Sequence, residues 1–270
     1  MCWFDGLPER VDSDPEWKQS YDAQIGGAQR TAERIPIIHV TKADYPRRFA
    51  SSDWTLEVSL RGRSRPITLE TEDACGLGRC LYFYAGRAYR GAGGAGVGGA
   101  AFAFGPRCEE GRTGSASPFD TGSVYDGSIC CGRLGTPEER IDFVKASIMD
   151  LGEWRGEFAR FLAAYFKPMQ DYMSSEGRPW QPDPDGIFPD RRNGWPAWSL
   201  EIRFREGQRI LDCVRWCASE ADMADFRDWR GPSPSYEQPL WDSLMDRAEV
   251  AGGHPDYADR LEQWVLREAF

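Results

Sequence analysis

A short segment, residues 198–204, carries the side chain whose setting points most directly to chemistry. Its apolar residues alternate with polar ones, the pattern of a β-strand with one face against a core. Because successive side chains of a strand point to opposite faces, Ser199, Glu201 and Arg203 share the second face. A carboxylate on such a rigid element is either a solvated surface group or a catalytic group directed into a cleft. Glu201 is therefore the first candidate for a catalytic residue.

A histidine and a threonine form a second polar pair, on a strand predicted at residues 35–41. Alternation places His39 and Thr41 on the same face of that strand. Two interpretations are open. His39 is a half-exposed strand residue without a role, or the pair lines a cleft, where His39 donates to a ligand hydroxyl and Thr41 braces its ring.

An aromatic strand at residues 81–89 lies between these two segments, and Gly-rich and then Phe-rich sequence follows it. A His-x-Thr strand, an aromatic strand and a late strand with an outward glutamate together resemble the ADP-ribosyltransferase superfamily, in its His-Tyr-Glu branch. The aromatic strand is similar to that of bacterial toxin-type members such as the nucleic-acid-modifying DarT group. The resemblance covers scattered short segments of the chain.

The resemblance implies that the chain binds NAD as its substrate. His39 would hydrogen-bond a ribose of NAD, with support from Thr41. An aromatic ring would stack on the nicotinamide, and three tyrosines are candidates for that role: Tyr82, Tyr84 and Tyr89.

The catalytic carboxylate implied by the resemblance is Glu201, which would accept a hydrogen bond from the 2′-hydroxyl of the nicotinamide ribose. The transition state of the transfer resembles an oxocarbenium ion and needs a fixed negative charge nearby. Glu201 would also assist as a general base toward the acceptor, and Arg87 and Arg203 would anchor the pyrophosphate. Family members often carry Gln or Glu where this chain has Ser199, so the acceptor, nucleic acid or protein, stays open.

The predicted function is therefore that of an NAD-dependent ADP-ribosyltransferase, an intracellular bacterial toxin or defence-type enzyme. One alternative is a non-catalytic regulatory partner, whose negative surface and exposed tryptophans would bind another protein. Another is a divalent-metal hydrolase or nuclease with Glu201, Glu57 and Asp120 around the cation. The tryptophans in question are Trp180, Trp195 and Trp229.

Two motif-like features are interpreted as structural. The Gly-rich run at residues 91–99 leads into a predicted strand and not into a helix N-terminus, which favours a hairpin loop over a phosphate loop. Of the 8 cysteines, Cys213 and Cys217 are spaced too widely for a Cys-x-x-Cys zinc knuckle, and the chain has only 2 histidines. We therefore predict no metal site and expect reduced, mostly buried thiols.

Length and composition are those of an ordinary globular protein, with 270 residues, 41% of them hydrophobic and 28% charged. The net charge of −10 disfavours non-specific binding to nucleic acid or acidic membranes. No run approaches the roughly 20 apolar residues of a membrane span, and the first residues lack the pattern of a secretory signal. The sequence predicts a cytoplasmic protein without a membrane partner.

The predicted fold is α+β: a mixed or antiparallel sheet, split by a helical insertion at about residues 136–175 and followed by C-terminal helices. Residues 1–34 are predicted to be an N-terminal arm, either a peripheral arm or a short helix, and residues 35–270 a single catalytic-type domain. Thr136-Pro137-Glu138-Glu139 has the residues of a capping box and predicts a helix start. Strands are predicted at residues 35–41, 54–60, 67–70, 80–84, 97–104, 198–204 and 209–215.

The remaining segments are predicted as loops and helices. Residues 105–135 carry many turn residues and predict a long loop, which in a compact domain is usually functional or disordered. The helical insertion would run to about residue 172 with a break near Gly152. C-terminal helices are predicted near residues 219–229, 237–250 and 255–268.

Overall fold

One sheet of eight strands organises the part of the chain that the structure describes. The computed structural model describes residues 7–42, 66–86, 99–127, 134–173, 200–205, 213–219, 249–251 and 257–270. The strands are β1 (Ile37–Lys42), β2 (Cys80–Ala85), β3 (Gly99–Phe104), β4 (Gly114–Ser117), β5 (Met149–Asp150), β6 (Glu201–Arg205), β7 (Val214–Ser219) and β8 (Glu249–Ala251). Their spatial order is β5-β4-β6-β2-β1-β3-β7-β8, and every pair is antiparallel except β7 with β8.

Helices join the strands and pack on the sheet, which confirms the predicted α+β class. In the described residues between β4 and β6 lie three α-helices, the short strand β5 and a 3-10 helix, so a largely helical insertion does split the sheet in sequence. The helices are α1 (Leu7–Ser13), α2 (Pro15–Arg34), α3 (Pro66–Cys75), α4 (Thr121–Tyr125), α5 (Pro137–Ala146), α6 (Trp154–Tyr165), α7 (Tyr257–Ala269) and the 3-10 helix Met169–Tyr172. None of the helices described is long and apolar enough to cross a membrane.

Local capping signals explain where two of the helices begin. The Thr136 hydroxyl accepts from the Glu139 N–H at 3.2 Å, and the Glu139 carboxylate accepts from the Thr136 N–H at 3.0 Å. This reciprocal pair is the predicted capping box, and it is confirmed. At α2 the Asp14 carboxylate accepts from the N–H groups of Glu16 and Trp17, and Pro15 occupies the first turn.

The N-terminal segment is part of the core, so the predicted peripheral arm is wrong. Leu7, Trp17 and Ala28 belong to the same buried cluster as the sheet and α6. The Trp17 indole N–H donates to the Ala164 carbonyl at 2.8 Å, which joins α2 to α6. The many charged residues of α2 lie on its other side. They made the segment appear polar in the sequence, so its narrow apolar stripe was not recognised.

Three helices cover the opposite face of the sheet. A small second cluster joins α3, α4 and α5 through Cys75, Val124 and Val144. The strand predicted at residues 67–70 is therefore wrong, because these residues lie in α3. Pro66 suits the first turn of a helix, and the side of α3 with Thr71, Glu72 and Cys75 is buried.

Several other predictions differ from the structure or fall outside it. The loop predicted at 105–135 contains β4 and α4, and the last C-terminal helix is present as α7. Ser219 lies in β7 and Val250 in β8, where helices were predicted. Other predictions lie outside the described residues: the strand at 54–60, most of the helices at 219–229 and 237–250, Glu57, Arg87, Tyr89 and the three tryptophans.

Candidate functional site

The register of the central strands brings polar side chains onto one face of the sheet. Glu201 of β6 lies directly opposite Tyr84 of β2 and Ser117 of β4. Because residues directly opposite each other in an antiparallel pair share a face, these side chains project together. We name this surface the polar face; its members are Tyr82, Tyr84, Ser115, Ser117, Glu201 and Arg203.

Glu201 is buried and fully engaged in hydrogen bonds, with 1% of its surface exposed. The Thr121 hydroxyl donates to Glu201 Oε1 at 2.7 Å, and the Thr121 N–H approaches Oε2 at 3.4 Å. Arg203 Nη1 lies 3.0 Å from the same Oε1. The sequence left open whether this carboxylate is a solvated surface group or a catalytic group directed into a cleft, and its burial excludes the first.

Arg203 is enclosed as completely as Glu201, with 0% exposed. Its Nε donates to the Ser115 hydroxyl at 3.0 Å and its Nη2 to the Ser117 hydroxyl at 2.6 Å. Its Nη1 also donates to the Thr121 hydroxyl at 3.2 Å. All three guanidinium nitrogens thus bind protein oxygens, and the predicted pyrophosphate anchor is instead the internal counter-ion of Glu201.

The buried setting changes the acidity of Glu201. Burial raises the pKa of Glu201 to about 8, and the nearby charge of Asp120 acts in the same direction. The Arg203 guanidinium and the hydrogen bonds from Thr121 lower the pKa. The net result is a carboxyl group that gains and loses its proton close to neutral pH, as a general acid or base must.

Two tyrosines extend the polar face toward the covering helices. The Tyr84 hydroxyl donates to Asp120 Oδ2 at 3.2 Å, and Asp120 also caps α4 by accepting from the Ser123 N–H at 2.7 Å. The Tyr82 hydroxyl donates to the buried Glu72 of α3 at 3.1 Å. Burial raises the pKa of Tyr82, so its phenol stays protonated. Tyr84 and Asp120 are half-buried, whereas Glu201 is buried.

His39 lies on the other face of the sheet, away from Glu201. It is opposite Phe102 in β3, and its ring centroid lies 5.2 Å from that of Phe83. Phe83 is in turn opposite Ile202, whose side chain points away from the polar face. The structure therefore does not bring His39 and Glu201 together, and the prediction that both belong to one site is wrong.

The surroundings of His39 are those of a partly buried structural residue. Its Nδ1 lies 2.9 Å from the Tyr82 carbonyl oxygen, which can only accept, so Nδ1 carries a proton. Burial lowers the pKa of His39 to about 4. Thr41 lies opposite Ala100 in the β1–β3 ladder. Thr41, like His39, is not one of the residues of the polar face.

The alternative of a divalent-metal hydrolase requires several carboxylates around one cation, and among the described residues the structure places only Asp120 of the predicted carboxylates near Glu201. Asp120 does lie next to the site, since Thr121 binds Glu201 directly. Within the described ranges, no group of three or more His, Cys, Asp and Glu side chains is arranged to hold a metal ion.

A cavity of about 920 Å³ opens elsewhere, beside the turn between β3 and β4. Charged side chains of both signs line it, among them Glu109, Arg112, Arg155 and Arg205. None of the members of the polar face contributes to its wall, so this cavity is separate from Glu201.

The sequence interpretation missed the residues that hold Glu201 and Arg203 in place. Ser115, Ser117 and Thr121 fall in the segment predicted as a loop. Glu72, which binds the neighbouring Tyr82, lies two residues after the segment predicted as a strand. One local signal was present: Asp120 has the residue type of an N-cap. The contact of Thr121 with Glu201 spans 80 positions of the chain and leaves no local pattern.

Comparison of the chain with protein-family models, with curated proteins and with solved structures finds no match. The fold and the site define an α+β protein with a buried ionic centre on one face of its sheet. Its function has to be inferred from that centre.

Proposed function

We propose that the protein is an NAD-dependent ADP-ribosyltransferase of toxin or defence type that modifies a macromolecular acceptor, with Glu201 as its catalytic carboxylate. The single observation that supports this most is the polar face itself. It combines a strand-mounted carboxylate with Tyr84 directly opposite on the neighbouring strand. His39 is not part of the proposed site.

The chemistry needs a negative charge that is fixed before the reaction begins. A carboxylate in a water-poor site stabilises an oxocarbenium-like transition state far better than one in bulk water. Glu201 is held by the rigid β6 and oriented by Thr121 and Arg203. A nicotinamide ring stacked on Tyr84 would place its ribose next to this carboxylate.

Substrate binding requires Glu201 to change one of its partners. The ribose 2′-hydroxyl would replace the Thr121 hydroxyl as the donor to Oε1, since both are single hydroxyl donors. Thr121 is the first residue of α4, which has only 5 residues. Displacing so short a helix disturbs few hydrogen bonds, and its N-cap Asp120 is only half-buried.

A second function is favoured by a different observation. Glu201 and Arg203 are already completely paired and enclosed without any substrate. On that ground the polar face is a structural ionic centre, and the protein is a non-catalytic partner that binds another protein. Replacement of Glu201 would then change the free energy of unfolding and no catalytic rate.

Release of nicotinamide from NAD distinguishes the two functions. We expect the wild-type protein to release nicotinamide when nucleic acid and protein acceptors are offered, and Glu201→Gln to be slower by at least about 100-fold. Glu70→Gln is the matched control, because Glu70 is an exposed carboxylate on α3. Far-UV circular dichroism establishes that both variants are folded.

Tyr84 provides a further check of the proposed geometry. Tyr84→Phe keeps the ring and loses the hydrogen bond to Asp120, so NAD affinity should change little. Tyr84→Ala removes the stacking surface and should weaken NAD binding by roughly tenfold or more. If the wild-type protein neither binds nor consumes NAD with any acceptor, the proposal fails and the structural interpretation stands.

A further inference from the structure

Two thiols lie against each other away from the polar face, where the turn after β3 meets the start of β7. Cys108 is buried, Cys213 is half-buried, and both are reduced. Gly105 connects their backbones: its N–H donates to the Cys213 carbonyl at 2.8 Å, and its carbonyl accepts from the Cys108 N–H at 3.3 Å. The two cysteines are thus held in a fixed relation by one shared residue.

A cation adjoins the Cys213 sulfur. The hydrogen bond between the Cys108 thiol and Cys213, together with burial, raises the pKa of Cys108, so Cys108 stays protonated and is not the attacking thiol. Arg112 Nη2 lies 3.6 Å from Cys213 Sγ, and Nη1 of the same guanidinium donates to the Cys108 carbonyl at 2.5 Å. Two donors therefore point at the Cys213 sulfur. Donors and positive charge at a sulfur favour its thiolate, which is the nucleophilic form.

We infer that Cys108 and Cys213 form a dithiol site that reacts with hydroperoxides and closes to an intramolecular disulfide. Cys213 is the attacking residue, because it is the more exposed of the two and faces Arg112. Cys108 is the resolving residue, already in contact with the sulfur that becomes oxidised. This site is independent of the proposed NAD chemistry.

The reaction balances with hydrogen peroxide as the oxidant. The Cys213 thiolate attacks one peroxide oxygen, the O–O bond breaks, and Cys213 becomes a sulfenic acid while the second oxygen leaves as hydroxide. The sulfur of Cys108 then attacks the Cys213 sulfur and expels the sulfenic oxygen. The two thiol protons end in the two waters formed. Both sulfurs together are oxidised by two electrons, and the peroxide is reduced by two.

Two other cysteines supply an internal comparison. Cys75 and Cys80 are both buried, and burial raises the pKa of each, for Cys80 to about 12. The Cys80 thiol donates to the Leu77 carbonyl at 3.4 Å, so its hydrogen-bond acceptor is a backbone oxygen and not a sulfur. These thiols should stay reduced under conditions that oxidise the dithiol site.

The test treats the full chain with hydrogen peroxide and maps each cysteine by differential alkylation and peptide mass spectrometry. The expected product is a single cross-linked peptide pair that joins Cys108 to Cys213 and is lost on reduction. In Cys108→Ser a sulfenic acid should accumulate at Cys213 and be trapped by dimedone. In Cys213→Ser, Cys108 should remain reduced.

Arg112 tests the origin of the reactivity. Arg112→Gln should slow the oxidation of Cys213 by roughly tenfold at neutral pH. Arg107→Gln is the matched control, since Arg107 lies on the same turn and pairs with Glu110 instead. The inference is overturned if the wild-type disulfide maps to other cysteines, if both thiols stay reduced, or if Cys213→Ser leaves Cys108 equally reactive. The mapping on wild-type protein decides this even where a variant does not fold.

Discussion

Removal of Arg203 should destabilise the protein in a way that depends on pH. The substitution Arg203→Met keeps most of the side-chain volume and removes the only cation bonded to Glu201 in the described structure. It also leaves the hydroxyls of Ser115 and Ser117 without their guanidinium donor. At pH values where Glu201 is ionised, breaking this buried ion pair from one side costs about 3–5 kcal/mol.

The pH dependence follows from the pKa of Glu201, which folding raises from 4.5 to about 8. A carboxyl whose pKa is higher in the folded state contributes stability below its unfolded pKa and loses it as the pH rises to the folded pKa. For the wild-type protein this loss is on the order of 5 kcal/mol and is complete near pH 8. Without Arg203 the folded pKa is higher still, so the loss continues above pH 8.

The difference in unfolding free energy between wild type and Arg203→Met should therefore grow by up to about 1.4 kcal/mol for each pH unit above 8. Urea denaturation followed by tryptophan fluorescence at pH 6, 7, 8 and 9 measures it. Arg205→Met is the control: Arg205 is exposed on the same strand, and its loss should cost less than about 0.5 kcal/mol. Equal costs for the two variants, or a pH-independent cost of Arg203→Met, would refute the reasoning.

Two further predictions concern the packing of β4 at Gly114 and the pKa of His39. A Cβ at Gly114 would lie 1.9 Å from the Arg203 carbonyl oxygen, so Gly114→Ala should lower the free energy of unfolding by about 1–3 kcal/mol. Gly156→Ala is the control. A Cβ there meets no heavy atom within 4 Å, so this substitution should be neutral or stabilising in the same urea assay. Folding lowers the pKa of His39 from 6.5 to about 4, so stability should fall as the pH drops through this interval. His39→Phe should abolish that fall in thermal melts, and an unchanged slope would show that His39 is not its source.

Local periodicity was sufficient to predict that Glu201 and Arg203 lie on the same face of a strand. Side chains two positions apart on a strand share a face whatever the rest of the fold does. The same alternation holds for Tyr82 and Tyr84 on β2, and only the register of the sheet joins them to Glu201. The helix start at Thr136 was equally local, because a capping box is formed by residues three positions apart.

Local periodicity could not predict whether His39 and Glu201 lie on the same face of the sheet. Alternation assigns two faces within one strand, but only the register between strands decides which faces coincide. β2 lies between β1 and β6, and its pairing places His39 with Phe83 and not with Tyr84.

Burial of the polar face was hidden from the sequence for a related reason. The residues that bind the polar face come from α3 and α4, far from β6 along the chain: Glu72 binds Tyr82 and Thr121 binds Glu201. α3 is poorly amphipathic, and four residues within it matched a strand pattern. Its buried side instead holds Thr71 and Glu72, polar residues that a search for apolar stripes passes over.

The pH profile of nicotinamide release from NAD tests the proposed function most directly. Since the ionised carboxylate is the catalytic form, the wild-type rate should rise from pH 6 to pH 9 with an apparent pKa near that of Glu201, about 8. Glu201→Gln should abolish both the rise and at least about 99% of the rate. A Glu201→Gln variant that retains the wild-type rate and profile, or a wild-type protein that leaves NAD intact at every pH, would contradict the assignment of Glu201 as a catalytic carboxylate.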